Sequence, residues 1–416
     1  MSTKKGYKLV PWLFGKEIEI PEEWEVKKLE EVGEIIGGGT PDSTNKDFWN
    51  GDILWAVPTD ITKLQVNQIE NTERKITKLG LENSSAKLLP AKTILITSRA
   101  TIGECAITTK PITTNQGFQN IICNDKHNNY LIFYLIKHFP NNLLRLSQGT
   151  TFLEINKNQM KKVIVPISND IKEQQKIATI LSNVDSLIDS TRQVIKNSKS
   201  LKTGLMQKLL TRGISHTKFK KVPWSFGKEI EIPEEWEVLP LSKICNIRET
   251  DSIKSDLYVG LEHISQNDNK LVGQATTKEF TSNTNSFHNN DVLYGKLRPL
   301  LNKVWLATED GHCSTDILPL QTKDNIIPTI LLLVLTDYRF FWYAVSTSSG
   351  TKMPRTNWLD MKNFLVFLPS VLEQQKIANI LSNIDAQIDS QTQYKEKLER
   401  LKKSLMQKLL TGEVRV

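Results

Sequence analysis

The 416-residue chain contains no Pro-Pro pair, no Gly-x-x-x-x-Gly-Lys-Ser/Thr run, no His-Glu-x-x-His and no Cys-x-x-Cys. Each absence excludes a chemistry. Without Pro-Pro there is no Asn/Asp-Pro-Pro-aromatic motif to hold the amino group of a flipped base during methyl transfer. Without a P-loop there is no cradle for ATP phosphates; the glycine run Gly37-Gly38-Gly39-Thr40-Pro41 lacks the required ending and reads as a turn. The six histidines (His127, His138, His216, His263, His288, His312) show no ligand spacing, which argues against a metal site. Four cysteines, Cys105, Cys123, Cys245 and Cys313, lie far apart and are expected to be reduced and buried. The longest apolar stretch, Ile326 to Leu335, is about half a bilayer span and is followed by Asp337 and Arg339. The opening MSTKKGYK has charge but no apolar core of a secretion signal, so a cytoplasmic protein is expected. No catalytic residue, metal or cofactor is expected.

What is present is an ordinary globular composition, 39% apolar and 24% charged, long enough for two or three domains. The net charge of +8 is modest, but its distribution is uneven. From Ser190 to Lys221 there are nine Lys or Arg and no Asp or Glu, which fits either a polyanionic partner or a helix kept soluble by lysines.

An internal repeat sets the architecture. VPWLFGKEIEIPEEWEV at Val10 to Val26 recurs as VPWSFGKEIEIPEEWEV at Val222 to Val238, identical at 16 of 17 positions. EQQKIATILSNVDSLID from Glu173 recurs as EQQKIANILSNIDAQID from Glu373, identical at 13 of 17, and LKTGLMQKLLT at Leu201 as LKKSLMQKLLT at Leu401. The interiors between these near-identical flanks barely align, apart from stretches near their ends such as GTTFLEINKNQM at Gly149 and GTKMPRTNWLDM at Gly350. Duplication with uniform drift would blur flanks and interiors together, so a shared scaffold carrying two dissimilar inserts is expected.

The segments from Ile177 and Ile377 carry heptad-spaced apolar residues and read as long helices. In the first these are Ile177, Ile180, Leu181, Val184, Leu187, Ile188, Val194, Ile195, Leu201 and Leu205; in the second Ile377, Ile380, Leu381, Ile384, Ile388, Tyr394, Leu398, Leu401 and Leu405. Forty residues make a helix about 60 Å long, too apolar along its seam to stand alone, so the two helices are expected to pair. The inserts read as mixed α and β. Strand-like runs lie near Ile53, from Lys92 and from Phe118 in the first, and from Leu257, Asp291 and Ser314 in the second; helical stretches follow at Asn129 to Leu146 and Pro328 to Ser346. Trp24 and Trp236, at equivalent places in domains with unlike inserts, read as packing anchors.

The order of these motifs resembles the specificity subunit of a type I restriction-modification system. The resemblance is carried by IPEEWEV twice, TSRATIG with TTNQGF, LYGKLRP with CSTDILPL, and EQQKIA with LMQKLLTG or LMQKLLTRG, and it covers the whole chain. It implies an α+β protein: two mixed α/β target-recognition domains joined by two long helices in an antiparallel coiled coil with internal pseudo-twofold symmetry. The expected division is a first recognition domain at 1–168, a first helix at 169–213, a second recognition domain at 214–368 and a second helix at 369–416. The implied function is non-catalytic reading of a bipartite site in double-stranded DNA, with two methyltransferase subunits and an ATP-dependent restriction subunit as partners. Base readout calls for Arg or Lys toward guanine and Asn or Gln toward adenine, among phosphate contacts from Lys, Arg, Ser and Thr. Loops with that mixture hold Ser98, Arg99, Thr101, Asn115, Gln116, Lys157 and Asn158 in the first insert, and Lys296, Arg298, Lys303, Lys352, Arg355 and Asn357 in the second. The alternative is a duplicated coiled-coil scaffold that binds proteins and reads no DNA sequence.

Overall fold

The computed structural model describes residues 4–148, 153–224, 229–276 and 283–416. Gly149 to Phe152 and Ser225 to Lys228 of the repeated motifs lie outside the described residues. The chain divides into two compact units, Met1–Val194 with Gln391–Val416, and Ile195–Ser390. The division falls inside both long helices, Ile171–Arg212 and Val371–Leu410, so each unit holds a stretch of each.

Unit 1 is closed at its base by an antiparallel pair, Trp24–Lys28 against Ile164–Ser168. These strands lead into and out of the first insert, so the insert begins and ends side by side. Inside, a five-stranded sheet runs in the order Gly33–Gly37, Gln119–Cys123, Ile94–Ile96, Cys105–Thr108, Gln68–Ile69, and a three-stranded sheet in the order Thr113–Thr114, Trp49–Ala56, Arg74–Ile76. The strand-like run from Lys92 is thus two strands around a reversal at 97–104, set by the left-handed backbone of Ala100 and Gly103. The helical stretch is also two pieces, Asn129–His138 and Pro140–Leu144, because Pro140 has no N–H to continue the first. Leu131 to Ile136 are buried without a gap, in one core with Ile177 and Leu181 of the first long helix and Leu409 and Leu410 of the second.

Unit 2 repeats the plan. Glu237–Pro240 pairs antiparallel with Leu365–Leu368 at its base. Two four-stranded sheets follow, Cys245–Ile247, Ile317–Thr322, Val292–Gly295, Val304–Leu306, and Ala275–Thr276, Leu257–Val259, Gly311–Ser314, Thr284–Phe287. Its core joins Leu331, Leu335 and Phe340 to Leu209, Leu210, Ile377 and Leu381. No single helix among the described residues is long and apolar enough to cross a membrane; Pro328–Thr336 and Tyr338–Ser346 meet at 61° and lie in this core. Asp337 caps the second of the two, its side chain accepting from Arg339 N–H, and so ends the first.

Within each unit the two helix stretches run antiparallel. In unit 1, Val184 and Ile188 pack with Leu398 and Leu405, and Lys402 Nζ lies 2.5 Å from Asp185. In unit 2, Lys202 Nζ lies 2.6 Å from Asp385, the same pair displaced by 200 residues. The seam follows alternating steps of four and three through positions 177, 181, 184, 188, 191, 195, 198, 202, 205 and 209, all buried or half-buried. Leu187, Val194, Leu201, Ile380, Tyr394 and Leu401, expected in the seam, are exposed. They lie beside it, whereas polar Thr191, Ser198 and Lys202 occupy it, the lysine neutralised by its aspartate.

Each helix ends at a glycine with positive φ, Gly213 (63°) and Gly412 (72°), a left-handed C-cap. A Cβ at Gly213 would lie 2.4 Å from Glu373 Oε1 and 2.7 Å from Trp236; one at Gly412 would lie 2.4 Å from Pro21. The helix ends therefore sit tightly on the anchor tryptophans. Trp24 Nε1 donates to Glu173 (3.1 Å) and Trp236 Nε1 to Glu373 (3.0 Å), and both rings are buried, so the packing role expected for them holds. The two ends of the chain meet in unit 1: Tyr7 Oη donates to Gly412 O (2.8 Å) and Arg415 pairs with Glu23 (2.7 Å) and Glu173 (2.5 Å). The four cysteines are unpaired; Cys105, Cys245 and Cys313 are buried, Cys123 is half-buried rather than buried, and desolvation pushes all four thiols up to about 12.

Candidate nucleic-acid interface

The candidate loops converge at one place in each unit, on an equivalent backbone frame. In unit 1, Ser98 N–H donates to Gly117 O (2.8 Å), Ser98 O accepts from Ile155 N–H (3.0 Å), and Arg99 and Gln148 each bridge to Glu154. In unit 2, Lys296 N–H donates to Asp316 O (2.9 Å), Lys296 O accepts from Thr356 N–H (3.0 Å), and Leu297 and Ser349 each bridge to Arg355. Ser98 thus corresponds to Lys296, Arg99 to Leu297, Gly117 to Asp316 and Glu154 to Arg355. The next residues, Ala100 and Arg298, share left-handed backbone, with φ of 58° and 51°. Such conformations cost free energy in residues with a Cβ and persist where surrounding contacts impose them.

Several candidates shape this frame instead of projecting from it. Asn115 accepts from Gly117 N–H (2.9 Å), a local turn that Ser314 reproduces with Asp316 N–H (3.2 Å) in unit 2. Asn357 caps the helix Trp358–Met361 through Asp360 N–H (3.0 Å), as Asn156 caps Lys157–Lys161. Lys303 Nζ donates to Leu261 O (2.6 Å), which ties its charge to a carbonyl. The Ser98 side chain is fully buried under the loop. Gln116, by contrast, projects from the frame: it is exposed, and its side-chain oxygen accepts from the Thr40 hydroxyl.

The rest are presented outward. Thr101, Lys157, Asn158, Arg298 and Lys352 are exposed, and Lys296 is half-buried. Arg99 Nε lies 2.8 Å from Glu154 Oε1, and Arg355 Nε donates to Asp316 Oδ1 (3.2 Å). Sequence reasoning missed both carboxylates, because an acid in a DNA-facing loop reads as repulsive and each is far from its arginine along the chain. The glycine run is no phosphate cradle: Gly37 ends a strand, and a Cβ at Gly38 would lie 1.9 Å from Asn115 O, so glycine is needed there for close packing against the loop.

Five of the nine cations in the basic stretch from Ser190 meet the protein's own acids and carbonyls. Arg192 binds Asp189 (2.6 Å) and Gln65 O (2.7 Å), Lys199 pairs with Asp268 (3.5 Å), Lys202 with Asp385 (2.6 Å) and Arg212 with Glu231 (3.1 Å). Lys220 donates to Glu234 O (2.8 Å) and Trp236 O (2.6 Å). No group of His, Cys, Asp and Glu among the described residues could hold a metal ion.

Two polar, sequence-divergent tips on duplicated frames are what a recognition protein of two parts requires. The chain belongs to the family described as the type I restriction modification DNA specificity domain, whose model matches it twice, at residues 21–198 and 233–400. It is 29% identical over 425 residues to the type I restriction enzyme MjaIX specificity subunit of Methanocaldococcus jannaschii, covering 96% of this chain and 95% of that one. It is 26% identical over 428 residues to the MjaVIII specificity subunit of the same organism, with the same coverage. In fold it is similar to the S subunit of a type I restriction-modification system from M. genitalium, with a TM-score of 0.58 at 14% identity over 93% of this chain and 96% of that one.

Proposed function

We propose that this chain is the DNA-specificity subunit of a type I restriction-modification complex, in which each unit reads one part of a bipartite site in double-stranded DNA. The observation that carries the proposal is the pair of equivalent frames: hydrogen bonds at Ser98 and Lys296 that match one for one, beneath loops whose outward side chains differ. A protein that reads two different sequences with one fold needs that separation of frame from surface. A scaffold with identical partners would keep the tips alike and has nothing here to favour it.

In this reading 1–168 and 214–368 are the recognition domains, and 169–213 and 369–416 the helices that set their spacing. Contacts to DNA are assigned to Arg99, Thr101, Gln116, Lys157 and Asn158 in one unit, and to Lys296, Arg298, Lys352 and Arg355 in the other. Ser98, Asn115, Lys303 and Asn357 shape the loops that carry them. Two methyltransferase subunits dock on the repeated scaffold, and an ATP-dependent restriction subunit completes the complex in the cytoplasm. Methyl transfer and cleavage then belong to those partners and recognition to this chain.

The test exchanges Lys27 to Gln159 for the matching segment of another family member. Because that segment starts in one base strand, Trp24–Lys28, and stops just short of its partner, Ile164–Ser168, mapping of methylated adenines is expected to show one part of the site changed and the other retained. Both parts changed, or neither, would refute the proposal.

A further inference from the structure

We propose that Arg99 and Arg355 each read a guanine, one in each part of the site, and that Glu154 and Asp316 are positioning residues that hold the two guanidinium groups for it. The inference rests on the DNA-reading function proposed above and adds which base is read and what orients the reader.

Both arginines stand at the converging loops with about half of the side chain exposed, 48% for Arg99 and 49% for Arg355. An exposed arginine loses much rotamer freedom when it binds, and this loss weakens recognition unless the side chain is held beforehand. In each unit a carboxylate from another segment does the holding, and in each it meets Nε. That choice of atom matters. A guanidinium has five N–H donors in one plane; a partner at Nε fixes the plane and leaves four donors on the two terminal nitrogens. Two of these match the O6 and N7 acceptors on the major-groove edge of guanine.

The carboxylates also argue for a base and against the backbone. Glu154 and Asp316 are themselves partly exposed, at 39% and 28%, and so place negative charge where a phosphate would otherwise approach. An arginine meant for phosphate gains nothing from an acid at its side. An arginine meant for a base edge gains selectivity, because the acid lowers its attraction to DNA of any sequence. The backbone supports the same aim: Arg99 and Arg355 are each pinned by a bridge, to Glu154 and to Leu297 and Ser349, and the left-handed residues beside these bridges, Ala100 and Arg298, leave the loops little freedom to reorient. The two pairs use non-equivalent positions, since the arginine lies on the reversal in unit 1 and on the facing loop in unit 2.

The experiment selects duplexes from a random pool with the full chain and compares R99A, R99K and E154Q with R355A and D316N. The wild type is expected to enrich a two-part site with guanine at one position in each part. R99A should lower the preference for guanine at its position by about 10-fold or more, and R99K should not restore it, because an ammonium lacks the planar fork. E154Q, nearly isosteric, should lower the same preference by about 3- to 10-fold and raise affinity for random duplex. R355A and D316N should act only on the other part, and the untouched part reports that each variant is folded. Loss of the guanine preference in R99A and R355A with none in E154Q and D316N would overturn the positioning role. No base preference moved by either arginine would show that the pairs only tie loops together, and would overturn the inference while leaving DNA reading intact. A wild-type chain that enriches no sequence overturns the function proposed above, and this inference with it.

Discussion

The tips of the two units share a backbone and differ in where charge is placed on it. In unit 1 the arginine occupies the position that Leu297 takes in unit 2, and its acid, Glu154, sits where unit 2 has Arg355. Unit 2 draws its acid from Asp316, the counterpart of Gly117. Two arrangements of one ion pair have thus been built on the same hydrogen bonds. Backbone groups satisfy one another whatever side chains they carry, so the frame tolerates wholesale change at its surface, and recognition can vary without refolding.

The bases of the units show the reverse, a tryptophan and a glutamate kept in the same roles. Trp24 and Trp236 are both buried and both donate to a glutamate at the start of a long helix. The largest effect is expected here. W24A should destabilise unit 1 by about 3–5 kcal/mol, the usual loss for a buried tryptophan, and W236A unit 2 by a similar amount. Hydrogen exchange on peptides from each unit checks this, and a W24A chain whose base strands Trp24–Lys28 and Ile164–Ser168 keep full protection would break the equivalence.

One repeated contact is unequal, which sharpens the comparison. Asp185 is 14% exposed and accepts from Lys402, from Tyr134 Oη (2.6 Å) and from Asn67 Nδ2 (2.5 Å). Asp385, 47% exposed, pairs with Lys202. D185N should therefore cost about 2 kcal/mol, since it removes charge from a largely buried, multiply bonded group, while D385N should cost about 0.5 kcal/mol or less. Urea denaturation of both variants measures the gap; equal costs would mean that the Tyr134 and Asn67 bonds add nothing.

The smallest effect belongs to unit 2. His288 lies between Asp251 (3.1 Å) and Asp310 (3.2 Å), and its hydrogen bond to Asp251 holds the imidazole pKa above the ordinary range. A raised folded-state pKa contributes stability that is complete below the unfolded value and fades as pH rises through the folded one. Unit 2 should therefore weaken slightly as pH rises through and above the ordinary histidine range. In H288Q that slope should flatten, as read by thermal unfolding at low salt; an unchanged slope would assign the pH dependence elsewhere.

How much of this was legible beforehand varies with the range of the interaction. The two long helices, their pairing and the anchor role of Trp24 and Trp236 were legible, because repetition at fixed offsets and heptad spacing are local patterns that burial enforces. The breaks at Pro140 and Asp337 follow from a missing N–H and a capping carboxylate, and each leaves a mark in the sequence. The seam was only half legible: Leu187, Val194 and Leu201 repeat every seven residues as faithfully as the true seam does, and only the facing aspartates show that Lys202 and Lys402 lie in it and the leucines beside it.

The sequence by itself determined the duplicated plan, the near-identical bases and the dissimilar inserts, because identity and periodicity can be read along the chain. The tertiary structure alone decided which loop residues face outward, that Asn115, Asn357 and Lys303 serve the frame, and that Arg99 and Arg355 each meet a carboxylate. Those outcomes depend on segments tens of residues apart being brought within hydrogen-bonding distance. Side-chain chemistry supplies the means for such contacts, but only the packed fold chooses the partner.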